Sequence, residues 1–203
     1  HFLSIDLRSR ALYLGVPYRN SGIGLSMQTY GIPNTSSISK ITGSYSRKFG
    51  NTISTSVTLN YHGFRVVDVM SDNSYTVDLG FFFLPLINLN VGAIWNNISR
   101  SIYSDLANIS IDQMYGVGFN YMFSEDLSVA SDLLYSKHLH LIYRAGLDFA
   151  IDNLIMLRAG FNSTPMLLTG GIGLVLKAVH VDISTSYHSR IGTSPQIALA
   201  YEF

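Results

Sequence analysis

The stretch TSPQIALAYEF, residues 193–203, decides how the rest of the chain reads. At a period of two, Pro195, Ile197, Leu199, Tyr201 and Phe203 share one face, and Ser194, Gln196, Ala198, Ala200 and Glu202 share the other. A strand that is apolar on one side and small or polar on the other, closing on an aromatic residue, suits lipid outside and a polar lumen inside. A soluble β-sandwich can also end on such a strand, so the reading needs the remaining sequence.

Composition points the same way. Of 203 residues 47% are hydrophobic and only 13% are charged, against about 25% charged in ordinary soluble domains. No run approaches the roughly 18 apolar residues of a membrane helix. The longest candidate, residues 79–87, is short and contains Pro85. Few charges without a spanning helix is what a transmembrane β-barrel produces, because only alternate residues meet lipid. Cysteine is absent, which removes disulfides and thiolate metal sites. The formal net charge is zero with scattered Lys and Arg, which argues against nucleic acid as a partner. No motif calls for a cofactor. The opening His1, Phe2 and Leu3 carry no basic stretch or cleavage site, as in a mature or truncated chain.

Alternation recurs along the chain. Ile53, Thr55, Val57, Leu59 and Tyr61 form one apolar row, and Tyr75, Val77, Leu79, Phe81 and Phe83 another. Tyr115, Val117, Phe119, Tyr121 and Phe123 repeat the pattern, as do Val179, Val181, Ile183, Thr185 and Tyr187. Between them fall Ser54, Ser56, Asn60, Asp78, Gly80, Gly116, Gly118, Asn120, Asp182 and Ser184. A sandwich interior would be filled by large apolar side chains instead. Short turns are expected near Gly50, Pro85, Glu125, Asp152 and Lys177, and longer polar loops at 31–37, 65–74 and 99–111. Short periplasmic turns opposite longer extracellular loops fit a barrel. The expected fold is an all-β, closed antiparallel barrel occupying residues 1–203 as one domain. It has about fourteen strands if 3–8 and 12–18 are separate, and twelve otherwise.

Three segments carry a family resemblance. YTVDLGFFFLPLINLNVGAIWNNIS (75–99) resembles a hairpin of the FadL-like outer-membrane barrels related to PorV and PorQ of type IX secretion. LRAGFN (157–162) with GGIGLVL (170–176), and VDISTSYHSRIGTSPQIALAYEF (181–203), are similar to later segments of that family. Its amino-terminal Asn-Pro-Ala-Gly hatch motif does not occur here. The Tyr201-x-Phe203 end resembles the assembly signal of bacterial outer-membrane barrels, with Leu199 as its third member. The resemblance implies the outer membrane of a Gram-negative bacterium. It also implies a fourteen-stranded barrel, and a role in export complexes or in hydrophobic-solute uptake.

Asp6, Arg8, Asp78, Asp132, Arg144, Asp148, Arg158, His180, Asp182 and Glu202 read as inward, and all but Asp6 and Arg8 form a candidate luminal charge network. Strand bookkeeping sets Asp148 opposite Arg158, Asp132 opposite Arg144, and His180 opposite Glu202. Such pairs read first as charge matching that fills a narrow lumen, with a selective polar constriction as the alternative. His62, His138, His140 and His188 map to the extracellular end as solvated loop residues, without the carboxylate that a metal site would need. Ser186, His188 and Ser189 lack an acidic partner for catalysis. The expectation is a non-enzymatic barrel surrounded by outer-membrane lipids that joins other outer-membrane or periplasmic proteins in an export or assembly complex. The alternatives are a stand-alone channel for hydrophobic or small polar solutes, and an enzyme acting at the barrel rim.

Overall fold

A computed structural model describes residues 8–103, 111–152, 154–176, 179–190 and 192–201. They form one antiparallel sheet of 13 strands in which each strand neighbours the next in sequence. The strands are β1 (Arg8–Tyr18), β2 (Ser21–Ile32), β3 (Ser36–Phe49), β4 (Ile53–Val66), β5 (Met70–Leu86) and β6 (Leu89–Asn96). There follow β7 (Met114–Met122), β8 (Leu127–Ser136), β9 (His140–Ile151), β10 (Ile155–Ser163), β11 (Met166–Leu176), β12 (Val179–His188) and β13 (Gly192–Tyr201). Two compact units emerge from the packing. The first comprises His1–Phe83, Gly92–Tyr115 and Ser136–His138, and the second Leu84–Val91, Gly116–Tyr135 and Leu139–Phe203.

Register explains the two faces. In the first unit Ile41 pairs with Tyr61 and Tyr61 with Tyr75, while Tyr45 pairs with Val57 and Val57 with Leu79. The intervening rows run Thr42 to Asn60 to Thr76 and Ser46 to Ser56 to Gly80. Because the pleat repeats every two residues, the sheet sorts apolar side chains to one surface and polar ones to the other. Burial is inverted relative to a water-soluble domain. Among the described residues the buried apolar side chains are Tyr103, Leu134 and Ile142, whereas Asn60, Asp72, Ser74, Thr76, Asn97 and Ser136 are all buried. Leu59 is 62% exposed and Ile197 77% exposed. Aromatic pairs sit on the apolar side near one strand end, with Tyr61–Tyr75 and Trp95–Tyr115 ring centroids each 5.4 Å apart. Such belts place amphipathic rings at a membrane interface.

Several expectations change. Thirteen strands lie among the described residues, one more than the alternative count of twelve, and the additional strand expected at 3–8 falls almost wholly outside them. The phase change between Leu7 and Leu12 does not divide β1, which pairs with β2 without interruption from Arg8 to Tyr18. Residues 3–7 of the separate first strand, with Asp6, lie outside the described residues.

Arg8 is also not inward. It shares the face of Leu12, Leu14 and Val16, which pair with Met27, Leu25 and Ile23.

The expected loops at 31–37 and 65–74 are mostly strand, so connections run from two to four residues except at 97–113. Ser71, Asp72, Asn73 and Ser74 pair with Arg65, Phe64, Gly63 and His62. A polar strand end is stable here because one face of the sheet is polar throughout. Left-handed turn positions fall to Asn34, Asp68 and Asp152 at φ 61°, 58° and 51°, residue types that tolerate that conformation.

Candidate functional site

The polar face carries two clusters, one in each unit. In the first, Asn60 accepts a hydrogen bond from Thr42 Oγ1 at 2.9 Å. Its amide donates to Thr76 Oγ1 at 3.1 Å and to Asp78 Oδ2 at 2.7 Å. His62 Nε2 lies 2.9 Å from Thr76 Oγ1, and the Asn97 backbone N–H donates to Asp78 Oδ1 at 2.8 Å. Asp78 therefore sits among neutral amide donors instead of facing an arginine. Alternate small and polar residues on β3, β4 and β5 align these groups because the three strands are in register.

Residues 97–103 pack onto that face. Asn97 takes the left-handed conformation at φ 51°. Its side-chain amide donates to the carbonyls of Ser101 at 3.0 Å and Ile111 at 2.8 Å, and its Oδ1 accepts from Ser101 N at 2.9 Å. Ser74 Oγ donates to the Ile102 carbonyl at 2.8 Å. Tyr103, 7% exposed, packs against Phe64 with ring centroids 6.3 Å apart. Burial, and then the charge of Asp72, push the Tyr103 phenol above its ordinary value. Ser74 and Phe64 share the polar face with Thr76 and His62, so residues 102 and 103 cover part of that face.

In the second unit Arg158 bridges two carboxylates. Its Nε lies 3.2 Å from Asp148 Oδ1, and its Nη1 donates to Asp182 Oδ1 at 2.5 Å. The Asp148–Arg158 contact follows from the short turn between β9 and β10, which sets the two residues opposite each other. Asp182 lies on β12, one strand further on than β11. Arg158 reaches it because Gly171 stands opposite Arg158, and Gly173 opposite Asp182. A Cβ at Gly173 would approach Asp182 Oδ1 to 2.6 Å. A cavity of about 270 Å³ opens beside this triad, lined also by Gly146, Thr169 and Ser184. Two carboxylates sharing one guanidinium leave a formal charge of −1, and all three side chains remain partly exposed.

Of the other expected pairs, Asp132–Arg144 does not form, and His180–Glu202 falls outside the described residues. Arg144 turns to β10, where its Nε donates to Asn162 Oδ1 at 3.0 Å, and Asp132 lies against Gly118. Among the described residues no ion pair joins Asp132 to Arg144. His180 stands opposite Ala200, and Glu202 lies outside the described residues, as does Phe203. Leu199 is 74% exposed on the apolar face of β13. Tyr201 ends that strand opposite Val179.

The histidines are not a uniform loop set. His62 belongs to β4, and His138 Nε2 lies 3.5 Å from Asp112 Oδ1. Nδ1 of His188 accepts from Arg190 N at 3.0 Å. Among the described residues no three His, Asp or Glu side chains gather as a metal site. Sequence reasoning set Asn60 on the polar face but outside the charge network, and it missed Asn97. The second had a signal, because an Asn-Asn pair closing an apolar strand favours a left-handed cap.

No protein-family model and no curated protein matches the chain. Solved structures do. The TodX monoaromatic hydrocarbon channel, as its ΔS2 mutant, superposes with a TM-score of 0.69 at 10% identity, over 94% of this chain and 80% of that one. The CymD monoaromatic hydrocarbon channel gives 0.62 at 12% identity, over 96% and 82%. The KdgM porin in complex with disordered oligogalacturonate gives 0.51 at 15% identity, over 98% and 94%. The fold is that of the outer-membrane β-barrels. TodX and CymD are FadL-family channels. The PorV-like, secretion-related part of the resemblance has no counterpart among these neighbours.

Proposed function

We propose that the chain is a stand-alone, non-enzymatic outer-membrane channel for small polar solutes. The observation that supports this reading is the polar face. It presents Asn60, Thr76, Asp78 and His62 in one unit and the Asp148–Arg158–Asp182 triad in the other, while the apolar side chains point away. A path for hydrocarbons needs apolar walls, because a polar group that loses water without a partner costs a few kcal/mol. Here the wall offers donors and acceptors that replace a solute's hydration. Residues 97–103, seated by Asn97 and Tyr103, cover part of that wall in the first unit. The channel neighbours favour this reading over a subunit of an export complex, and none of them is an enzyme.

The test is reconstitution of the purified chain in liposomes. Swelling in small sugars and amino acids, with stepwise conductance in planar bilayers, is the expected result. A protein that conducts nothing alone and does so only with a co-isolated partner would return the complex reading to first place.

A further inference from the structure

The apolar face of β1–β4 changes character at one end. Register aligns Arg8 with Gly31, Gly31 with Ser37 and Ser37 with Arg65 in a row across four strands. The next row on that face runs Arg10, Thr29, Ser39, Gly63. Small residues thus form a floor between Arg8 and Arg10 at one side and Arg65 at the other. All three arginines are exposed. They line a cavity of about 440 Å³ together with Thr29, Gly31, Ser37 and the 32–36 turn, and no Asp or Glu is among the lining residues. Gly31 keeps the floor open, since a Cβ there would strike the Ser36 carbonyl oxygen.

Position and spacing narrow the ligand. The rows directly below, on the same face, hold Leu12, Leu14, Met27, Ile41 and Tyr61, which meet hydrocarbon in the outer membrane. Charges on the lipid side of a barrel are tolerated only near the interface, where their cost falls to about 0–1 kcal/mol. Among the described residues no carboxylate lines the trough beside these three cations, so they face an anionic layer. This end of the strands also carries the 97–113 connection, the long one, which marks the extracellular rim. Three strand steps separate Arg8 from Arg65, about 14 Å, and two residues separate Arg8 from Arg10, about 7 Å. The cations bracket the trough instead of converging on one point.

We infer that this trough binds the headgroup of a phosphorylated glycolipid of the outer leaflet. Arg8 and Arg10 hold one phosphate, Arg65 holds a second, and the saccharide between them lies over Thr29, Gly31 and Ser37. Guanidinium forks suit phosphate oxygens in bidentate geometry. A glycerophospholipid with a single phosphate engages one side only. The inference uses the outer-membrane location and is independent of what the channel carries.

The experiment measures binding of bisphosphorylated lipid A to the full purified chain in detergent by native mass spectrometry. Comparators are dephosphorylated lipid A and phosphatidylglycerol, with inorganic phosphate as competitor. Bisphosphorylated lipid A should bind about tenfold or more tightly than either comparator. The R8Q/R10Q/R65Q variant should lose that advantage while keeping heat-modifiable gel migration and conductance. Arg65→Gln alone, the milder change, should bring bisphosphorylated lipid A down to the affinity of phosphatidylglycerol, which carries one phosphate. Equal binding of the phosphorylated and dephosphorylated lipids, or undiminished binding by Arg65→Gln, would overturn the proposal. Displacement by millimolar inorganic phosphate would also overturn it, by showing a site for soluble anions.

Discussion

Replacing Asn60 with leucine separates an inverted barrel from every fold with an apolar interior. Asn60 is 2% exposed, and leucine keeps its branched four-heavy-atom side chain, so the change opens no cavity. It removes two hydrogen bonds to neutral threonine hydroxyls and one to the Asp78 carboxylate. Neutral bonds contribute about 1 kcal/mol each and a bond to a charged group about 1.5–3 kcal/mol, for a total loss of about 3.5–5 kcal/mol. Reversible urea unfolding of the chain in lipid vesicles, extrapolated linearly to water, measures this. The adjacent residue supplies the mirror experiment. Leu59 points to the apolar side, so Leu59→Asn sets an unpaired amide in hydrocarbon at a cost of about 2 kcal/mol or more, whereas Leu59→Ile should change little. If Asn60→Leu stays within about 1 kcal/mol of the wild type, the polar face is not the hydrogen-bonded surface described, and the face assignment fails with it.

Three further outcomes are expected. Arg158→Met releases Asp148 and Asp182 and changes the formal charge of the triad from −1 to −2, so reversal potentials in a salt gradient should shift toward cation selectivity. Because the triad is partly exposed, the accompanying loss of stability should be below about 1 kcal/mol. Asn97→Ala removes the amide that holds Ser101 and Ile111, so single-channel conductance and cleavage within 97–103 by added protease should both rise; Asn97→Gly, which keeps the backbone conformation accessible, should do the same if the amide matters. Tyr103 carries a raised phenol, so its contribution to seating the segment is complete below the ordinary tyrosine value near 10 and is lost as pH climbs through the higher folded value. Conductance should increase on alkaline titration, and Tyr103→Phe should flatten that dependence.

The period-two rows were legible because alternation is local. Ile53 through Tyr61 declares its faces without knowledge of any partner strand. Asp148 and Arg158 were legible for a related reason, since the tight turn at Asp152 leaves one register open. Asp182 was not, because its approach to Arg158 depends on the missing side chain of Gly171 on a strand between them. Arg144 was misassigned because a long side chain chooses between two neighbouring strands, and Asn162 competed with Asp132 for it. The run from Ser71 to Ser74 was read as loop because polarity marks a loop only where the alternative is an apolar core. Arg8 was given the wrong face because its side was judged from charge, whereas pairing with β2 fixes it from Leu12 and Leu14.

The inverted burial has a consequence for how the chain reaches its native state. Collapse in water is driven by apolar side chains hiding from solvent, yet among the described residues Tyr103, Leu134 and Ile142 alone are buried apolar groups. Leu59, Ile197, Leu199 and their neighbours find no shelter in the folded form until hydrocarbon surrounds them. An aqueous compartment therefore offers this sequence sticky, misregistered aggregates but no productive nucleus. Folding and membrane insertion become a single event, and the bilayer takes the part that a core plays elsewhere. On the way to the membrane the polypeptide has to be kept extended and shielded, which makes its transit more sensitive to chaperone supply than to its own thermodynamic stability.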